Sequence, residues 1–186
     1  MDLEKGAKVF ERSAQLEPAS DAARELYDLT IDTCARAGLP AYEISNHARP
    51  GAECRHNLVY WRYGEYAGVG PGAHGRLVTN EGRLAQSTEK HPETWLDLVE
   101  RDGAGVIETE ILSAEAQGDE FLLMGLRLKE GIDPRRFTAL SGRTLDAKRI
   151  ANLASEGMVE ETADGRIRVT PAGFPVLDAI VADLAS

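Results

Sequence analysis

Between Tyr42 and Gly75 the chain reads YEISNHARPGAECRHNLVYWRYGEYAGVGPGAHG. These residues include His47, His56 and His74, four of the five tyrosines, and Trp61, one of two tryptophans. From Arg49 to Arg62 the charge is locally basic, with Arg49, Arg55 and Arg62 against Glu53. Such side chains do three kinds of chemistry. Imidazole ligates metals, aromatic faces stack on flat groups, and guanidinium grips carboxylates with two parallel bonds.

The three coincide in Arg55-His56-Asn57-Leu58-Val59-Tyr60-Trp61. A neutral His56 would serve as an axial ligand of haem iron. Tyr60 and Trp61 would supply apolar walls for a porphyrin, and Arg49, Arg55 and Arg62 would hold its propionates. The same residues also suit a plain loop whose aromatics fill a cavity. A second motif, Gly68-Val69-Gly70-Pro71-Gly72-Ala73-His74-Gly75, lacks the Lys-Ser/Thr of a phosphate loop and does not fit GxGxxG. It reads as a strand end where backbone comes close to a bound ligand. His91 precedes a helix proline and reads as solvent-exposed.

The two cysteines, Cys34 and Cys54, lie twenty residues apart without a CxxC. They form neither a zinc site nor a disulfide framework. Cys34 sits on the apolar side of a helical pattern and reads as buried packing; Cys54 lies in the polar loop before His56.

The elements that must position these groups come next. Residues 1–18 read as a polar, frayed N-terminal segment. Residues 19–105 hold a helix over 20–37, capped by Ser20 or Asp21, with Leu26, Leu29, Thr30, Thr33, Cys34 and Ala37 as its stripe. A buried strand follows at Ala41–Ile44, then the HNxxYW loop, and a glycine-rich strand at Tyr66–Gly70. A hairpin turns at Asn80-Glu81-Gly82, and a helix runs from Pro92 to Arg101. Asp102-Gly103-Ala104-Gly105 reads as a domain boundary.

Residues 106–186 have their own rhythm. Helices begin at Ser113, at Asp133-Pro134 and at Thr144; a hairpin turns at Asp164-Gly165; Thr170-Pro171 opens a last helix. Helix, helix, hairpin, helix is the order of a winged-helix-like unit. Its third helix and wing are close to neutral, and the 186-residue chain carries a net charge of −10, which excludes nucleic acid as a partner. No apolar run nears the roughly 18 residues that span a bilayer, and no signal-type h-region opens the chain. The reading is a cytoplasmic protein without membrane insertion.

YEISNHA, RHNLVYW and GVGPGAHG, in that order, resemble the haem chaperone HemW family, radical-SAM proteins related to the oxygen-independent coproporphyrinogen III oxidase HemN. FLLMGLRLKEGID and Val169-Thr170-Pro171-Ala172-Gly173 resemble the C-terminal domain those proteins share. The resemblance implies an α/β fold, the closing αβ elements of a partial TIM-like barrel followed by the small winged-helix-like domain. It implies haem binding at His56, with Asn57, Tyr60 and Trp61 as the other fixed motif positions. It places Ala73 and His74 where a late barrel strand nears S-adenosylmethionine. The partners implied are haem or porphyrin and haem-acceptor proteins, membrane-bound acceptors included.

The family's CxxxCxxC, which seats a [4Fe–4S] cluster that binds S-adenosylmethionine, is absent. The chain therefore reads as the C-terminal half of such a protein, whether a short gene or a piece of a longer one. An oxidase-like enzyme of porphyrin synthesis and an inactive fragment stand as alternatives. A half barrel with open edges is also expected to self-associate.

Overall fold

A computed structural model describes the backbone of residues 20–186 and the side chains from residue 22 on, so the reading for 1–18 and the side-chain cap at Ser20 or Asp21 lie outside what is described. The chain divides into two compact units. One takes the chain up to Ala41, with Ser45–Ala52; the other takes Tyr42–Ile44 and Glu53–Ser186.

In the first unit, α1 (Ser20–Arg36) carries an Arg24–Asp28 pair one turn apart at 2.8 Å. It ends where Gly38 turns left-handed, at φ 77°. Its stripe is largely open: Leu26 is 63% exposed and Leu29 57%, and Cys34 is only half-buried. The expected strand at Ala41–Ile44 does not form. Ala41 bridges antiparallel to His47 within this unit, while Glu43 bridges to Leu128 within the other. Each residue thus pairs at a single point, and no ladder propagates.

The second unit holds the core. Two-turn helix α2 (Arg55–Trp61) leads to β1 (His74–Thr79) and β2 (Gly82–Thr88), joined at the predicted Asn80-Glu81 turn. Helix α3 (Pro92–Asp102) follows, and β3 (Val106–Ile111) adds to β2. The order β1-β2-β3 is antiparallel throughout. This corrects two expectations. Among the described residues no strands pair in the parallel sense that a closing barrel strand requires. The boundary placed at residue 105 falls between β2 and β3, which share one sheet. The strand expected at Tyr66–Gly70 shrinks to one bridge, Tyr66 to Arg76.

Beyond the sheet come α4 (Ala114–Gly125), α5 (Pro134–Ser141), α6 (Ala147–Ser155), the hairpin β4 (Val159–Glu161) and β5 (Ile167–Val169), and α7 (Leu177–Ala185). Ser113 caps α4 through the Ala116 N–H at 3.1 Å, and Asp133 caps α5. Asp146, not Thr144, caps α6, accepting from the Lys148 N–H at 2.7 Å. Phe121, Leu122, Leu126, Ile132, Phe137, Ile167, Ile180 and Leu184 share one apolar core with Tyr63. Gly118 lets α4 approach α5, since a Cβ there would stand 2.5 Å from that of Ser141.

Candidate functional site

Arg55–Trp61, expected as a loop, is helical, and the helix decides which motif residues can act together. Positions four apart share a face. His56 and Tyr60 therefore meet: the Tyr60 hydroxyl and His56 Nε2 share a hydrogen bond of 2.9 Å, with ring centroids 4.7 Å apart and edge-on. Tyr66 also packs edge-on against Tyr60, with ring centroids 4.3 Å apart. Burial raises the Tyr66 pKa, so its phenol stays neutral at physiological pH. His56 itself is exposed.

The remaining motif residues face elsewhere. Asn57 donates to the Tyr42 hydroxyl at 3.2 Å. Trp61 lies under the Arg127 guanidinium at 5.7 Å, and its Nε1 is buried without an acceptor among the described residues. Arg62 is held by both oxygens of Glu130, at 2.9 and 2.7 Å, and that bonding raises its pKa. Its fork is therefore not open to a propionate as expected. Arg55 is exposed and lines a shallow apolar groove with Leu58, Val59 and Gly64. The structure thus joins His56 to Tyr60 and separates both from Trp61 and Arg62.

Ala73 and His74 serve the glycine loop. Ala73 donates its N–H to the Thr88 hydroxyl at 2.8 Å, and that hydroxyl donates to Gly70 O at 2.6 Å. A Cβ on Gly68 would lie 2.5 Å from the His74 carbonyl oxygen, so the glycine is needed for backbone against backbone. His74 is exposed at the start of β1, opposite Ser87. No group of three or more His, Cys, Asp or Glu among the described residues is placed to hold a metal ion.

Sequence reasoning missed the cluster that anchors α2. Tyr63, at φ 52°, turns its side chain into the core and donates to Glu120 at 2.8 Å. Arg76 grips the same carboxylate at 2.7 Å. Burial pushes the Glu120 pKa up, but bonds from Arg76 and Tyr63 more than offset it, and the net shift is downward. Burial and the Glu120 bond push the Tyr63 pKa well up. Arg83, buried, lies over the Tyr63 ring at 3.8 Å and donates to the carbonyls of Tyr63 and Gly64. Arg136 donates to the carbonyls of Arg62 and Tyr63. Two guanidinium groups thus hold the carbonyls of Arg62, Tyr63 and Gly64, the turn that follows α2. The available signal was Glu120 standing beside Phe121 and Leu122 in an apolar run.

Comparison with known proteins agrees with this architecture. Residues 112–176 match the HemN C-terminal domain, so the segment from just after β3 to the start of α7 is of that class. Over 86% of its length the chain superposes, at a TM-score of 0.61 and 17% identity, on 40% of a solved radical-SAM enzyme, the coproporphyrinogen III oxidase HemN of Escherichia coli. That likeness shows the fold.

In sequence the chain is a relative of the haem chaperones HemW and matches their C-terminal half. It is 33% identical to heme chaperone HemW of Mycobacterium tuberculosis, over 96% of this chain and 43% of that protein. It is 33% identical to the mitochondrial radical S-adenosyl methionine domain-containing protein 1 of Bos taurus, over 100% of this chain and 45% of that protein. The chain spans less than half the length of these curated relatives. Among the described residues no helix is long and apolar enough to cross a membrane.

Proposed function

We propose that this chain handles haem: it binds haem through His56 and passes it to an acceptor protein in the cytoplasm. The observation that carries the reading is the His56–Tyr60–Tyr66 cluster, an exposed imidazole held by a tyrosine hydroxyl at 2.9 Å, with a second ring packed edge-on against that tyrosine. Haem supplies an iron centre for an imidazole to ligate. The residues fit it in part. His56 is accessible, and Arg55 stands exposed on the same short helix. Arg62 and Trp61 do not fit, because Glu130 and Arg127 engage them.

In the wider reading, this chain is the C-terminal part of a longer radical-SAM protein, with a winged-helix-like unit after β3. Cys34 and Cys54 are too few for a three-thiolate cluster seat. A [4Fe–4S] cluster and S-adenosylmethionine would be held by other residues of that protein.

A hemin titration read at the Soret band tests the proposal. His56→Ala should abolish the shift, and His91→Ala should preserve it. Tyr60→Phe frees Nε2 from the phenol; removing a competing bond of about 1 kcal/mol should tighten binding roughly fivefold. An unchanged Soret shift in His56→Ala would overturn the reading.

A further inference from the structure

A cavity of about 260 Å³ opens beside the end of α2 and the turn after α4. Arg62, Arg136 and Arg166 line it, with Glu130 and Asp133. That is a local excess of positive charge in a chain whose net charge is −10. The carboxylates do not neutralise it evenly. Glu130 chelates Arg62 and lies 3.6 Å from Arg166. Asp133 is taken by the N–H of Arg135 at 2.9 Å and by its guanidinium, again at 2.9 Å. Arg136 has no carboxylate partner among the described residues.

The donors point the same way. A guanidinium carries five N–H groups on three nitrogens. Arg136 uses Nη1 and Nη2 on the Arg62 and Tyr63 carbonyls, at 2.7 and 3.0 Å. Arg166 uses Nε on the Glu130 carbonyl at 2.8 Å and Nη2 on that of Gly131 at 2.5 Å. Nε of Arg136 and Nη1 of Arg62 and of Arg166 have no acceptor among the described residues. Carbonyls satisfy hydrogen-bond geometry but leave the charge in place. Burial is the first cause that lowers the Arg136 pKa; the repulsion from Arg83 and Arg166, which comes second, is the part that favours an anion.

We propose that this cavity binds a small oxyanion of the phosphate or carboxylate type, with Arg136 and Arg166 as its main ligands and Glu130 as the built-in competitor. A purely structural staple and a ligand site make opposite predictions at Glu130. In a staple, neutralising Glu130 only loosens the joint. In a site, it removes the competing charge and strengthens binding.

The test uses the whole chain carrying Trp95→Phe, so that Trp61, on the cavity wall, is the sole tryptophan reporter. Sodium phosphate and sodium acetate are titrated at constant ionic strength, with sodium chloride as the control. Phosphate or acetate should give a saturable change in fluorescence that chloride does not, and their ranking identifies the preferred chemistry. Arg136→Gln and Arg166→Gln should each weaken binding about tenfold, and Glu130→Gln should tighten it about threefold to tenfold. Melting curves on each variant exclude loss of fold as the cause. A response equal to that of chloride overturns the proposal. So does weaker binding in Glu130→Gln, or binding that survives in folded Arg136→Gln.

Discussion

Helices α1 and α7 have similar apolar spacing and opposite fates. In α7, Leu177, Ile180, Val181 and Leu184 recur at helical intervals, and all four are buried. In α1, Leu26 and Leu29 recur in the same manner and remain 63% and 57% exposed. The spacing specifies a helix in both cases. Only α7 finds, within its unit, the surfaces of α4 and α6 that make the spacing a core. Periodicity encodes an element and the face it offers, but not the partner that receives the face.

The contrast can be broken from either side. Leu122 is completely buried, so Leu122→Ala should cost about 3–5 kcal/mol and lower the cooperative melting transition sharply. A loss under about 1 kcal/mol would mean that this core is looser than its packing implies.

A smaller effect should come from the joint between the sheet and α4. Glu120→Gln leaves Arg76 without its counter-charge and should cost about 2–3 kcal/mol at neutral pH. The folded pKa of Glu120 lies below its ordinary 4.5, so its contribution is fully present above that value. It is lost as the pH falls below 4.5 and through the folded value. Denaturant melts at a series of pH values should therefore show a flatter acid limb in Glu120→Gln than in the parent. Parallel limbs would remove Glu120 from the account.

The smallest effect on folding belongs to α1. Leu26→Ser should change stability by no more than about 0.5 kcal/mol. It should nevertheless reduce concentration-dependent association in sedimentation velocity, since it removes exposed apolar area. A destabilisation of several kcal/mol would show that the exposed stripe is a core after all.

What could be read in the sequence was whatever local chemistry settles. Asp133-Pro134 opens α5 because a carboxylate cap and an N1 proline act within one turn. The Asn80-Glu81 turn holds because Gly82 accepts φ 136° beside it. Where two local signals competed, the reading chose wrongly. Thr144 and Asp146 are both cap residues, and the carboxylate wins with a 2.7 Å bond. Thr170-Pro171 closes a turn through Thr170 Oγ1 and the Gly173 N–H, and α7 starts only after Pro175.

At the site, the His56–Tyr60 pair was implicit in a spacing of four once the segment was known to be helical. The helix itself was hidden, because Arg55–Trp61 is too short and too aromatic to declare one. The pairing of Arg62 with Glu130 spans 68 residues and could not be read at all.

The clamp at the end of α2 has a consequence for portability. Seven residues cannot pay the nucleation cost of a helix in water. The form of Arg55–Trp61 is lent by Tyr63, by Glu120 fifty-seven residues later, and by Arg136 seventy-three residues after Tyr63. A synthetic heptapeptide of this motif would keep every side chain and lose the arrangement that joins His56 to Tyr60. The motif is a signature of its host, and grafting it elsewhere means transplanting the Glu120–Tyr63–Arg136 support with it.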